Sequence, residues 1–155
     1  ILMESKNINN MDLVIIGEGP EKDNILYRIN QLKLNERIML TGFKSNPFPL
    51  IKKSSIFVLS SDWEGLGIVL IEALALKKQI VSTDCPNGPR EILDNGKYGL
   101  LVPVNDPHKL AEGIYKIIGG KVRFDEKLLF ERAQDFSVDK SLNQFIKLIS
   151  SNGVT

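Results

Sequence analysis

Two carboxylates, Glu64 and Glu72, stand with seven residues between them, and the intervening stretch opens with Gly65-Leu66-Gly67 before running apolar through Ile68-Val69-Leu70-Ile71. Glycines at such positions let the backbone come close to a ligand. The apolar run predicts a helix over about 67–76, buried on every side except at Glu72. A helix start offers unpaired N–H groups and a partial positive charge, which suits a phosphate. The dipole alone contributes about 0.3–1 kcal/mol, and up to ~2 when partly buried, so holding a diphosphate requires further donors or cations.

Glu72 is the sharper clue, because an ionised carboxylate inside an apolar helix costs several kcal/mol unless it is paired or hydrogen-bonded. Two partners are open. The vicinal hydroxyls of a ribose can donate two hydrogen bonds to one carboxylate, as in dinucleotide-binding folds; alternatively, Glu72 forms a structural ion pair, with Arg90 as candidate. Glu64, on a loop beside two glycines, has little structural reason to be there and reads as a functional group.

The elements that must position these residues alternate. Leu13 to Ile16, Arg37 to Leu40, Ile56 to Leu59, Gln79 to Ser82 and Gly99 to Val102 are short apolar runs that end in polar or glycine-containing loops, and they read as strands. Between them, helices are expected at 21–32, 47–53, 67–76 and 88–93, then at 107–118; two further helices at 126–133 and 137–149 follow, the second capped by Ser137. Ile25, Leu26, Ile29 and Leu32 fall on the inner face of the first. Strands that are apolar throughout imply a parallel sheet covered on both faces, an α/β doubly wound, Rossmann-like fold. Ligands of such sheets bind at the carboxyl ends of the strands. The loops at 17–20, 41–46, 60–67 and 83–89 all lie at that edge.

With 155 residues the chain is read as a single domain over 1–155. A balance of 43% hydrophobic and 25% charged residues excludes a disordered class, and no apolar run reaches the ~20 residues of a spanning helix. The net charge of +1 argues against a nucleic-acid partner, so an anionic ligand has to be held locally. A single cysteine, Cys85, excludes an internal disulfide and points to the cytoplasm. No metal-ligand cluster and no cofactor motif is visible. The sequence opens on Ile1 without a signal-peptide pattern, with what reads as the tail of a helix before the turn-like Asn7-Ile8-Asn9-Asn10, and is taken as a piece of something longer.

Glu64-Gly65-Leu66-Gly67 followed by Leu70-Ile71-Glu72-Ala73 closely resembles the E-x7-E signature of glycosyltransferase family 4. Gly17-Glu18-Gly19-Pro20, Gly42-Phe43, Asp84-Cys85-Pro86-Asn87-Gly88-Pro89-Arg90-Glu91-Ile92 and Gly99-Leu100-Leu101-Val102 resemble family segments in the right order, over roughly residues 12–118. The resemblance implies the C-terminal, donor-binding half of a retaining glycosyltransferase with the two-domain GT-B architecture. It implies that Glu72 binds the donor ribose, that Glu64 contacts the transferred sugar near the reacting carbon, and that the Gly65-Leu66-Gly67-Ile68-Val69 stretch faces sugar and diphosphate. Gly42 and Phe43 would lie beside the base, and Gly17 and Gly19 would line the nucleotide cleft. For these last, a tight turn at Gly17 and Gly19 and a core position for Phe43 remain open. Trp63 either shapes the sugar pocket or packs under the loop, Arg90 and Glu91 either serve the donor or cap a short helix, and His108 reads as a surface residue.

The same resemblance implies a nucleotide-sugar donor, UDP-linked by the form of the 84–91 segment, and an acceptor in polysaccharide or lipid-linked oligosaccharide synthesis, with a location peripheral to the inner membrane face in the complete enzyme. Family members carry an Arg and a Lys against the donor diphosphate on a strand-loop ahead of the helix with which this sequence opens. Neither can be assigned here, and neither can the N-terminal acceptor domain. The chain alone is therefore expected to bind weakly, to be inactive in transfer, and to self-associate where a missing strand exposes apolar surface. Two other readings are a non-hydrolysing sugar-nucleotide epimerase and a non-catalytic nucleotide-binding module.

Overall fold

Apolar runs of three to five residues, each ending at a polar or glycine-rich loop, form the strands, and the longer 3.6-periodic stretches between them form the helices. The computed structural model describes residues 11–151; the helix tail and turn expected over 1–10 lie outside them. In chain order the elements are β1 (Leu13–Ile15), α1 (Lys22–Gln31), β2 (Ile38–Leu40), α2 (Phe48–Lys53), β3 (Ile56–Leu59), α3 (Ile68–Ala75), β4 (Gln79–Thr83), α4 (Pro89–Ile92), β5 (Leu100–Val102), α5 (Pro107–Ile118), α6 (Glu126–Gln134) and α7 (Val138–Ser151). Strands and helices alternate as expected, and every strand pair is parallel.

The chain divides into two compact units, 1–50 and 51–155. In the first, β1 and β2 form a two-stranded ladder with Val14 opposite Met39. This departs from the expectation of strands buried on both faces, because Leu13, Val14 and Met39 are exposed. On α1 only Ile29 is fully buried; Leu26 and Leu32, expected inside, are exposed.

In the second unit β3, β4 and β5 form a three-stranded ladder in that order. Each unit thus holds one parallel ladder. Within β4, adjacent residues point to opposite faces: Ile80 joins a buried cluster with Leu70, Ala73 and Leu74 of α3, Ile92 of α4, and Leu129 and Ala133 of α6. Val81 points the other way, toward α5, where a Cβ built on Gly113 would stand 3.0 Å from Val81 Cγ1. Helices therefore cover both faces of this ladder. Leu70, Leu74 and Leu129 are sealed from solvent, and truncating any of them to Ala would cost about 2–5 kcal/mol. The core fixes α3, and α3 carries the residues singled out above.

Ser137 accepts a hydrogen bond from Lys140 N at 3.4 Å, the cap expected for α7. No helix among the described residues is long and apolar enough to cross a membrane.

Candidate functional site

In the second unit the carboxyl ends of the three strands are tied side to side. Asp84 N donates to Val102 O at 2.7 Å, and the Thr83 hydroxyl donates to Ser61 O at 2.6 Å. From β3 the chain runs into loop 60–67. Ser61 Oγ donates to Glu64 Oε1 at 2.7 Å, and Glu64 N donates to Pro86 O at 3.4 Å. A second loop, 84–88, is pressed against the first: a Cβ on Gly88 would lie 2.0 Å from the carbonyl oxygen of Leu66, an impossible overlap. Gly88 also has φ +100°, a conformation that only glycine adopts without strain. Neither Gly88 nor Ser61 was singled out from the sequence, although Asn87-Gly88 is a turn signal and Ser61 stands three residues before Glu64.

Gly67 is the residue before α3 and adopts a left-handed conformation, φ 76° and ψ 45°. A Cβ there would have room, 3.6 Å from the nearest side-chain atom, so the backbone angle and not space selects glycine. Glu64 Cγ lies 3.9 Å from that same point, which puts the Glu64 side chain beside the start of α3. Among the described helices α3 alone begins with neither a side-chain cap nor an acidic residue in its first turn. Its first amides are left for water or a ligand.

The expectation that α3 is buried on every side is corrected. Leu70, Ala73 and Leu74 are sealed, but Ile68 is 61% exposed and Val69 and Leu66 are exposed too. The helix enters the core only after its first turn, so the start stays open at the strand edge. Glu72 is half-buried. No ion pair or hydrogen bond reaches its carboxylate among the described residues, and no buried side-chain oxygen lacks a partner, so its oxygens reach solvent. The burial cost argued from the sequence is therefore relieved by water. The ion pair with Arg90 does not form, because the Arg90 guanidinium is bonded to Asp84 on the adjoining loop. That pair, and not a cap on α4, is the role the geometry gives Arg90. Trp63 is 75% exposed and does not pack under the loop.

Cys85 is buried within the 84–88 loop. Burial pushes its thiol up, the Glu64 and Asp84 charges push the same way, and a hydrogen bond with Thr83 pulls only partly back. These effects work against the thiolate form that a nucleophilic cysteine needs. His108 is exposed at the start of α5. No group of three His, Cys, Asp or Glu side chains among the described residues could hold a metal ion. Two open surface hollows, one along 123–126 and one between β5 and α5, include none of these residues. The candidate site is an open edge, not a closed pocket.

In the first unit the other residues form a comparable edge. Gly17 N donates to Gly42 O at 3.1 Å, and Thr41 Oγ1 donates to Ile15 O at 3.3 Å, so the loops after β1 and β2 are stitched together. Gly17 and Gly42 have φ 140° and 68°; a Cβ on Gly42 would stand 3.2 Å from Glu18 Oε1, whereas Gly19 faces open space. Phe43 is 71% exposed, which removes the core alternative.

Comparison with known proteins places this edge in a family context. Residues 2–132 match the family described as glycosyl transferases group 1. The chain is 35% identical to an uncharacterized glycosyltransferase of Methanocaldococcus jannaschii, with 90% of this chain and 42% of that protein covered. It is 39% identical, over 67% of this chain and 28% of the relative, to the N-acetylgalactosamine-N,N'-diacetylbacillosaminyl-diphospho-undecaprenol 4-alpha-N-acetylgalactosaminyltransferase of Campylobacter jejuni. Its fold is similar to the crystal structure of an Anabaena protein in complex with UDP, with a TM-score of 0.78 and 22% identity over 91% of this chain and 41% of that one. The chain thus spans less than half the length of each, and its structural neighbours are GT-B glycosyltransferases.

Proposed function

The chain belongs to the glycosyl transferases group 1 family, and from that premise we propose that it forms the donor-binding part of a retaining, family 4 glycosyltransferase that uses a UDP-linked sugar. The observation that carries the reading is the open start of α3, with no side-chain cap and no acidic residue in its first turn, and with the Glu64 side chain held beside it for the sugar. A diphosphate placed there would meet the amides of Gly67, Ile68 and Val69, and the helix would favour its charge. Glu72, one turn further and open to solvent, would accept hydrogen bonds from the two ribose hydroxyls. Glu64 would take a hydroxyl of the transferred sugar. Gly17, Gly19, Gly42 and the exposed Phe43 would serve the nucleoside.

Transfer with retained configuration passes through an oxocarbenium-like state in which negative charge grows on the leaving diphosphate. Fixed donors aimed at that charge are what lower the barrier. The α3 amides supply some of them, and an Arg and a Lys from a preceding strand-loop would supply the rest. A diphosphate oxygen takes the proton of the acceptor hydroxyl on the same face, so no side chain of this chain is assigned as general base. The acceptor would be a glycan or lipid-linked saccharide held by an N-terminal domain, with the complete enzyme working in the cytoplasm or at the inner membrane face. The exposed Leu13, Val14 and Met39 of the β1–β2 ladder support self-association of the chain when it is studied alone.

Calorimetry with UDP, GDP and ADP tests the reading. UDP should bind best, and Glu72→Ala should weaken it roughly tenfold or more, the loss of about 1.5–3 kcal/mol expected when hydrogen bonds to a charged group disappear. Equal binding by Glu72→Ala, or no nucleotide binding at all, would overturn the assignment. Transfer by this chain in isolation would refute the division of labour proposed for its diphosphate cations.

A further inference from the structure

We propose that Ser61 is a positioning residue that sets which oxygen of Glu64 is presented to the transferred sugar; the inference rests on the role given to Glu64 above. A glutamate side chain has three rotatable bonds, and a ligand that must order it gives up affinity in doing so. Here the ordering is done beforehand. The Ser61 hydroxyl donates to Oε1 at 2.7 Å, leaving Oε2 as the freer acceptor. Ser61 is fixed in turn: its carbonyl receives the Thr83 hydroxyl at 2.6 Å, and Thr83 is a buried residue at the end of the central strand β4. The Glu64 amide is held by Pro86 on the opposite side of the loop. A relay of Thr83, Ser61 and Glu64 thus runs from the core to the edge, and one hydroxyl decides the direction of the carboxylate.

This predicts an effect on the sugar and not on the nucleotide. The readout is the ratio of affinities for a UDP-sugar and for UDP, measured by calorimetry with UDP-glucose, UDP-galactose and their N-acetylated forms, the tightest being carried forward. Ser61→Ala should reduce that ratio by about threefold to tenfold, less than the full loss of a hydrogen bond to a charged group because Glu64 itself remains to meet the sugar, with the affinity for UDP unchanged. Ser61→Thr, which keeps the hydroxyl, should retain the ratio. Glu64→Gln should abolish it, and adding Ser61→Ala to Glu64→Gln should then change nothing further.

If Ser61→Ala weakens UDP and the UDP-sugar in step, Ser61 merely supports the loop and the inference falls. It also falls if Ser61→Ala keeps the ratio while Glu64→Gln loses it. If Glu64→Gln itself leaves the ratio intact, or the wild-type chain prefers no UDP-sugar over UDP, the role of Glu64 is wrong and the inference goes with it.

Discussion

The starts of α5 and α6 look unlike the start of α3. Asp106 accepts a hydrogen bond from Lys109 N at 2.9 Å, and Asp125 accepts from Lys127 N and Leu128 N at 2.8 and 3.1 Å, so the orphan amides of those helices are capped in the usual way. At α3 the same position is a left-handed glycine with no side chain to offer. A cap there would stabilise the helix by about 1 kcal/mol, and its absence leaves the first amides without a side-chain partner at the strand edge. The contrast separates helix starts that serve the fold from one free to serve a ligand.

The largest effect that could test this contrast is expected from Gly88→Ala. It forces a Cβ into the Leu66 carbonyl and places alanine at φ +100°, so stability should fall by on the order of 3 kcal/mol, read as a lowered Tm, with UDP binding lost as the Glu64 loop is displaced. Gly67→Asp puts a negative charge at the open helix start. UDP affinity should drop roughly tenfold, while stability changes by only about 1 kcal/mol for the left-handed backbone; Trp63, the single tryptophan and next to Glu64, gives a fluorescence signal for the titration. Asp125→Ala should do the reverse, costing about 1 kcal/mol of stability and leaving UDP affinity alone. Were Asp125→Ala to weaken UDP as much as Gly67→Asp does, the distinction between the two kinds of helix start would collapse.

The smallest effect belongs to charge pairs on the helix surfaces. Lys109 and Lys116 bracket Glu112 and lower its carboxyl from 4.5 to about 2, and Lys140 and Arg132 lower Asp135. Because the folded values are depressed, their contribution is present above about pH 4.5 and is lost as pH falls toward 2. Both groups are exposed, so the contribution is slight. The Tm difference between wild type and Glu112→Gln should therefore narrow between pH 5 and pH 2, and binding at neutral pH should not depend on it.

The element order was legible because its signals are local. The helix expected at 67–76 is α3 at Ile68–Ala75, and the helix expected at 107–118 is α5 over the same residues. What escaped depends on which segments meet. The sequence allows Arg90 to pair with Glu72, yet Arg90 bonds Asp84, six residues earlier on the adjoining loop. The exposure of Ile68 could not be read from an apolar run that continues into a sealed face. Gly88 was visible as a turn residue, but its approach to the Leu66 carbonyl joins loops from two different strands, and no spacing in the sequence announces that. The hydrogen bond from Ser61 to Glu64 was within reach, since the two residues are only three apart.

The buried position of Cys85 makes it a built-in clock for the loop that braces Glu64. It is the chain's one cysteine and only 3% exposed, so a thiol reagent can reach it only when the 84–88 segment swings away. Under fast reclosing, the labelling rate divided by that of an unfolded chain gives the fraction of time the brace is undone. Ligand seated against Glu64 should slow the clock, and Gly88→Ala should run it fast.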